Sequence, residues 1–359
     1  MASSDLHELA ESIVDDAYDA DATGFDDGLW ATLEKSGLAR LTLPEAAGGS
    51  EGSFDDAATL LEVAGAYGAR VPLVETDLLG GWLAHAAGLE VPDGPLVGVA
   101  ATDGASSTGA GAAAGGGAPD SALSGADDGT VSGTLARVPW GRSVAAVVAL
   151  VGERVVVLDP SVAEITEGTN VAEEPRDTLM YSGATPLASG SAPPGAAQEL
   201  ALRAALGRSL LLAGAARGAL ARSIGYAGER VQFGRPIGKF QAVQQQLAEA
   251  GSEVAAAAAA SGAAARTAAE NGFAASSTAF AVAAAKARCG EAATAVARIA
   301  HQVHGAIGFT REHDLRVVTT RLWAWRDEDG NDAYWNDRVG TAALDAGEYG
   351  LWPLVTGSP

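Results

Sequence analysis

Beyond the Pro/Gly break in "ASGSAPPGAA" (188–197), apolar residues recur at helical spacing, with few interruptions, to about residue 346. Nothing else in the sequence restricts the fold as much. The stretch opens with "AQELALRAALGRSLLLAGAARGALARSIGYAGE" and continues through a long Ala-rich segment from Gln241. It then runs through "ASSTAFAVAAAKARCGEAATAVARIAHQVHG", "HDLRVVTTRLWAWRDE" and "NDAYWNDRVGTAALDAG". Several helices longer than the average predict a four-helix-bundle core extended by a terminal pair. The run "VAAAAAASGAAARTAA" (254–269) is weakly apolar and broken by Ser, Gly and Arg, so it predicts a buried helix and not a membrane span.

The first part of the chain carries the same spacing in "LWATLEKSGLARL", "SFDDAATLLEVAGAYGA" and "ETDLLGGWLAHAAG", with "LPEAAGGS" (43–50) as a Pro/Gly turn between helices. From about residue 95 to 190 the pattern changes to short β-branched runs such as "GTVSGTLARVPW" and "SVAAVVALVGERVVVLDP". Before them lies "DGASSTGAGAAAGGGAPDSALSGADDG" (103–129), which is read as a long flexible loop. The expectation is a mainly α protein with a small β domain. It divides into an N-terminal helical domain (1–92), a middle β domain with the Gly/Ala-rich loop 103–129 (93–195) and a C-terminal helical bundle (196–359).

The net charge of −22 argues against nucleic acid or an anionic membrane as partner. Any phosphate-bearing ligand must be met by cations gathered locally, so each arginine in a candidate site is informative. The single cysteine, Cys289, excludes an intramolecular disulfide and a cysteine-built metal site, and no metal is expected. It reads as an inert buried helix residue. The N-terminal "MASSDLHELAESIVDDAYDADA" is acidic and has no apolar h-region, so a cytoplasmic protein without a secretory signal is expected.

No GxGxxG after a strand, Walker lysine loop, Ser elbow or HExxH is present. The histidines, His7, His85, His301, His304 and His313, are scattered; only His301 and His304 share a helix face, and all read as helix-end or half-buried residues. Trp323, Trp325 and Trp335 read as core or interface packing.

One stretch does gather chemistry: "YAGERVQFGRPIGKFQAVQQQLAEA" (226–250). Arg230 falls in the last turn of a helix, where the dipole alone would favour a cation. Gln232 and Phe233 follow on the same exit, and Gly234, Pro236 and Gly238 bend the chain outward. A planar guanidinium suits a diphosphate, an amide can bond phosphate or ribose oxygens, and a ring can cover an adenine. Together they would suit the ADP half of a dinucleotide.

"ERVQFGRPIGKFQAVQQQLAEA" followed by "HQVHGAIGFTREHDLRVVTTRLWAWRDEDGN" resembles the C-terminal domain of acyl-CoA dehydrogenases, and the helical–β–helical layout and "LPEAAGGS" extend the likeness over nearly the whole chain. The resemblance implies a helical N-terminal domain, a β domain and a C-terminal four-helix bundle, with FAD lying across a subunit interface. The residues that would reach a neighbour's FAD are Arg230, Gln232 and Phe233 on the arm, Phe240 and Gln241 opening the next helix, and Gln302, His304, Gly305 and Ala306 at the following turn. In the β domain neither the "TEP…GSD" loop nor the "W-I-T/S" strand that grips the flavin ring in the family is found. The slot of the family's catalytic glutamate falls at Asp329, followed by Gly330 and Asn331; the alternative slot on the first bundle helix falls at about Ala204.

A preserved arm beside a decayed flavin and substrate groove resembles the subunit lacking the catalytic glutamate in actinobacterial heterotetrameric (α2β2) acyl-CoA dehydrogenases of steroid side-chain degradation. The implied reaction is α,β-dehydrogenation of an acyl-CoA thioester, with base and isoalloxazine pocket in a homologous partner subunit and an electron-transfer flavoprotein as acceptor. On this reading the isolated chain is inactive. Asp329 reads as a solvated helix-end acid, although an aspartate at this slot serves as base in nitroalkane oxidase, a fold relative. Two other readings stay open: a self-sufficient flavoprotein dehydrogenase or oxidase using Asp329, and a non-catalytic scaffold subunit.

Overall fold

Alanine and glycine allow helices to approach closely, and this chain uses that freedom along its length. In the computed structural model, which describes residues 3–103, 121–125 and 129–356, the chain opens with helices α1 (Ser3–Asp16), α2 (Asp27–Lys35) and α3 (Phe54–Tyr67). A π-helix (Val74–Gly81) runs into α4 (Trp82–Ala86). Strands β1 (Leu96–Asp103), β2 (Ala122–Gly125), β3 (Val131–Pro139), β4 (Ala146–Val151), β5 (Arg154–Leu158), β6 (Glu164–Thr166), β7 (Arg176–Ala184) and β8 (Ala188–Ser191) follow. Helix α5 (Ala196–Glu229) then leads to a short hairpin of β9 (Val231–Gln232) and β10 (Arg235–Pro236). Helices α6 (Gln241–Asn271), α7 (Ser276–His304), α8 (Leu315–Asp327) and α9 (Asp332–Thr356) complete the chain. The protein is mainly α with a small β domain, as its patterning predicts.

Two compact units cut across this order. The first comprises Met1–Ala22, Phe54–Ala69 and Ala205–Pro359. In it α3 and α5 meet backbone to backbone: a Cβ on Gly65 would lie 2.2 Å from the Leu211 carbonyl oxygen, and one on Gly214 would lie 2.1 Å from that of Glu62. Any side chain there would force the helices apart, a change that typically costs about 1–3 kcal/mol. Helix α6 packs mainly on α7 and buries Ala257, Ser261, Ala264, Ala265 and Ala268, whereas Ala255, Ala259 and Ala263 are exposed, so the Ala-rich run is a helix as expected but only one stripe of it is buried. Cys289 is buried on α7 and its thiol is pushed up to about 12 by burial, which keeps it a poor nucleophile. Helix α9 kinks at Gly347 and continues to Thr356, beyond the end expected near residue 346.

The second unit comprises Thr23–Ser53 and Arg70–Ala204. Its sheet has eight strands in the order β6-β7-β3-β2-β1-β4-β5-β8. Strand β1 runs parallel to both β2 and β4, and the other pairs are antiparallel. The core gathers Val97, Leu123, Leu135, Val147, Leu158 and Leu179. The expected loop 103–129 lies mostly outside the described residues. Within it Asp103 ends β1, and Ala122–Gly125 form β2 instead of loop, because Leu123 is buried in the core and anchors the strand between β1 and β3.

The pattern "ETDLLGGWLAHAAG" leads one to expect an α-helix, but its first part belongs to the π-helix. The wider turn lets two adjacent buried polar residues find different partners. Thr76 Oγ1 donates to the Leu96 carbonyl (3.1 Å) and accepts from the Leu96 N–H (2.9 Å). The Thr42 N–H and hydroxyl donate to the carboxylate of Asp77 at 3.0–3.1 Å. Burial pushes Asp77 up to about 7, against these hydrogen bonds and the nearby Arg203.

Since the folded chain holds this proton more tightly than the unfolded one, the stability Asp77 contributes is complete below about pH 4 and is lost as pH rises through about 7. Asp77→Asn removes that dependence. Its unfolding free energy should gain on the parent by roughly 1.4 kcal/mol per unit between those limits, read by urea titration at several pH values. Parallel curves would show that Asp77 titrates like an unfolded carboxyl.

Candidate functional site

Helix α5 ends at Glu229, and Arg230 stands one residue past its expected place in the last turn, with its N–H bonded to the Tyr226 carbonyl (2.9 Å). The hairpin begins there. Its two central residues, Phe233 (φ 52°) and Gly234 (φ 80°), are both left-handed, as a type I′ turn requires. Asparagine or glycine normally takes the first of these positions; a phenylalanine there costs on the order of 1–3 kcal/mol. Phe233 recovers nothing by burial, being 91% exposed. Phe240 meets it edge to face at 6.1 Å, and the Arg235 guanidinium lies 4.3 Å over the Phe240 ring. Arg230, Gln232 and Gln241 are exposed around them.

At the far end of α7 the chain turns through a 3-10 segment, Gly305–Phe309. Gln302, Gly305 and Ala306 are exposed, and Gly305 has φ 65°. His304 is buried, so its ring is closed to a ligand and only its backbone remains available. The ring lies flat on Tyr226 at 4.4 Å and meets the edge of His313 at 4.6 Å, while Nδ1 bonds the Ala300 carbonyl at 2.7 Å. His301 is sandwiched between Phe309 (4.1 Å) and Trp323 (5.0 Å). Burial pushes both imidazoles below their ordinary pKa, so both are neutral at neutral pH. Both stand in the last turn of α7, as helix-end residues expected from the sequence, and both are buried as aromatic plates. Below them, Asp314 accepts from Arg222 Nε (2.9 Å) and the Tyr18 hydroxyl (3.0 Å). Burial alone would raise that carboxyl, yet the Arg222 guanidinium holds it below the usual range.

The Tyr226–His304 stack thus brings the hairpin (Arg230, Gln232, Phe233, Phe240, Gln241) and the turn (Gln302, Gly305, Ala306) to one end of the bundle. His313 is half-buried, as expected, while Tyr226 and Arg235 were not among the residues expected at the site. Tyr226 stands one helical turn before Arg230, and that spacing was the available signal.

The slot of a family base looks different. Asp329 sits at φ 55°, and its Oδ2 accepts from Arg208 Nε at 2.8 Å; Arg208 also reaches Glu328 at 3.5 Å. Asp329 is exposed just past the end of α8, as the solvated helix-end acid expected from sequence would be, and it is ion-paired as well, because a largely buried guanidinium from α5 faces it. Its carbonyl accepts the Trp335 Nε1–H (2.8 Å). Lys286 Nζ donates to the carbonyls of Arg326 (2.9 Å) and Gly330 (2.7 Å), and burial pushes its amine down to about 8. Trp325 and Trp335 are buried, as core packing predicts. Ala204, at the alternative slot, is buried and offers no functional group. On β3, where no flavin-gripping motif is found, a bulge between Leu135 and Val138 exposes Arg137 at φ 54°.

Residues 196–339 match the family described as acyl-CoA dehydrogenase, C-terminal domain. Over 302 residues the chain is 32% identical to acyl-CoA dehydrogenase IpdE2 of Mycolicibacterium smegmatis, covering 83% of this chain and 82% of that protein. The chain belongs to the acyl-CoA dehydrogenase family. The IpdE2 of Mycobacterium tuberculosis is 31% identical over 314 residues, covering 83% of this chain and 81% of that one. Among solved structures, a steroid acyl-CoA dehydrogenase, Tcur3481-Tcur3483 (G363A variant), superposes with TM-score 0.79 at 26% identity, covering 96% of this chain and 98% of that one. The ChsE4-ChsE5 complex from Mycobacterium tuberculosis shares the fold with TM-score 0.80 at 24% identity, covering 96% and 97%. Among the described residues no cluster of His, Cys, Asp and Glu could hold a metal, and no helix is long and apolar enough to cross a membrane.

If Asp329 is structural, Asp329→Ala should destabilise the chain by about 1–3 kcal/mol, since Arg208 loses the acceptor at 2.8 Å. A double-mutant cycle with Arg208→Met in denaturant should return a coupling of comparable size. Additive effects would leave Asp329 unattached and open to a chemical role.

Proposed function

We propose that this chain is one subunit of an FAD-dependent acyl-CoA dehydrogenase, lending the ADP-binding arm to a homologous partner that carries the base. The observation that carries the reading is Phe233: a ring almost wholly exposed on a strained hairpin tip, with Arg230 and Gln232 beside it. Such groups fit the ADP half of the cofactor. The fork of Arg230 would take diphosphate oxygens, the amide of Gln232 would bond ribose or phosphate, and Phe233 would cover the adenine. Phe240 and Gln241 would shape the opening of α6. Gly305 and Ala306, which have little or no side chain, let the backbone of the turn approach the ligand, with the Gln302 amide alongside. The bound flavin supplies a hydride acceptor for the substrate's β carbon.

The same chain fits the reactive half poorly. A general base needs a free carboxylate aligned with the α C–H of the thioester. Asp329 spends its carboxylate on Arg208. This favours a division of labour over a self-sufficient dehydrogenase or oxidase, and the exposed arm gives no use to a pure scaffold. Likeness to the two-component Tcur3481-Tcur3483 and ChsE4-ChsE5 assemblies supports an α2β2 arrangement, and the former supports a steroid side-chain CoA thioester as substrate class. Electrons would pass to an electron-transfer flavoprotein in the cytoplasm.

Absorbance near the flavin band tests the reading. The chain produced alone should hold little FAD, whereas the assembly recovered with its partner should be yellow. One flavin per chain in a homo-oligomer would refute the division of labour. In the assembly, Arg230→Ala should weaken FAD binding by roughly 10- to 150-fold, the loss of one charge-assisted contact. Unchanged retention would count against the arm.

A further inference from the structure

The hairpin ladder has a fixed register. Arg235 faces Gln232, Pro236 faces Val231, and the Ile237 N–H bonds the Arg230 carbonyl at 2.8 Å, carrying the pairing one step beyond the named strands. Side chains alternate between faces along a strand and match across an antiparallel pair. Arg230, Gln232 and Arg235 therefore share one face of the hairpin, and Val231 and Pro236 share the other. Neither guanidinium meets a carboxylate among the described residues, although the chain carries a net charge of −22. Two unpaired cations within six residues on one face form the local gathering that an anionic ligand needs.

Arg235 differs from an ordinary surface arginine in one respect. Its guanidinium carbon lies 4.3 Å from the centre of the Phe240 ring, a contact that restrains the fork before any ligand arrives. The ring is itself braced by the edge of Phe233. A fork held in this way loses less freedom on binding than a free side chain would.

We propose that Arg235 is the second cation of the diphosphate site, restrained by Phe240 on the hairpin face that carries Arg230 and Gln232. The inference rests on the arm reading above. Arg230 and Arg235 would each meet one of the two linked phosphates, and Phe240 acts as a positioning residue through the guanidinium above it. Lys239, exposed on the 3-10 turn after the hairpin, lies off this face of the ladder and adds only diffuse charge.

The experiment uses the assembly recovered with its partner subunit, stripped of flavin and titrated with FAD by fluorescence at several salt concentrations. Arg235→Gln is expected to weaken FAD binding on the order of 10-fold, with a shallower salt dependence than the parent. Arg235→Lys should recover part of the affinity, since it keeps the charge but not the planar fork. Phe240→Leu should weaken binding less than Arg235→Gln while leaving the salt dependence intact. Lys239→Gln should leave affinity within about 2-fold of the parent. If Arg230→Gln releases FAD while Arg235→Gln binds like the parent, the second-cation assignment is overturned and the arm reading stands. An effect of Lys239→Gln as large as that of Arg235→Gln also overturns it, in favour of a diffuse field. If neither arginine variant alters binding, the arm reading fails and this inference falls with it.

Discussion

Tyr226 lies flat on His304, with ring centres 4.4 Å apart, and the end of the bundle that carries the hairpin is organised around that contact. It joins the last turn of α5 to the last turn of α7, so two segments separated by an entire helical hairpin leave the bundle side by side. Burial also holds the imidazole below its ordinary pKa. Around the pair, Asp314 with Arg222 and Tyr18 on one side, and His301 between Phe309 and Trp323 on the other, leave little room to shift. The exposed residues on either flank inherit their geometry from this rigid base. A floppy arm would spend its binding energy on becoming ordered.

Much of this was legible in the sequence, for reasons that differ from residue to residue. The long helices declared themselves through spacing, and Arg230, Gln232 and Phe233 stood out because their chemistry clusters immediately before glycines and a proline that end a helix. The sharing of one face by Arg235 and Arg230 depends on strand register and on a turn whose hand is set by Phe233 and Gly234, which composition does not reveal. Asp329 could not be judged without Arg208, 121 residues away in the chain. The π-helix escaped notice because its apolar residues also satisfy an α-helical period. Strand β2 was hidden in a Gly-rich tract where a single leucine supplies the burial.

Acidity and function pull in opposite directions here. A chain with net charge −22 repels phosphates at long range, and screening shortens that repulsion to roughly 8 Å at physiological ionic strength. On the proposed reading, recognition of an anion is then a contact effect, delivered by the guanidinium groups of the hairpin. The strain at Phe233 has the same logic: the backbone accepts a disfavoured conformation so that the tip projects.

The loop after α8 carries a consequence for any substitution of its acid. A glutamate placed at position 329 would still face Arg208, in a backbone conformation fixed by the Trp335 indole on one carbonyl and the Lys286 amine on the next. A Cβ on Gly330 would come within 2.4 Å of the same indole nitrogen, so the neighbouring position gives no slack. The turn is thus held as a unit, by an arginine on its side chain and by an indole and an amine on its carbonyls, and a substitution anywhere in it acts on all of these contacts at once.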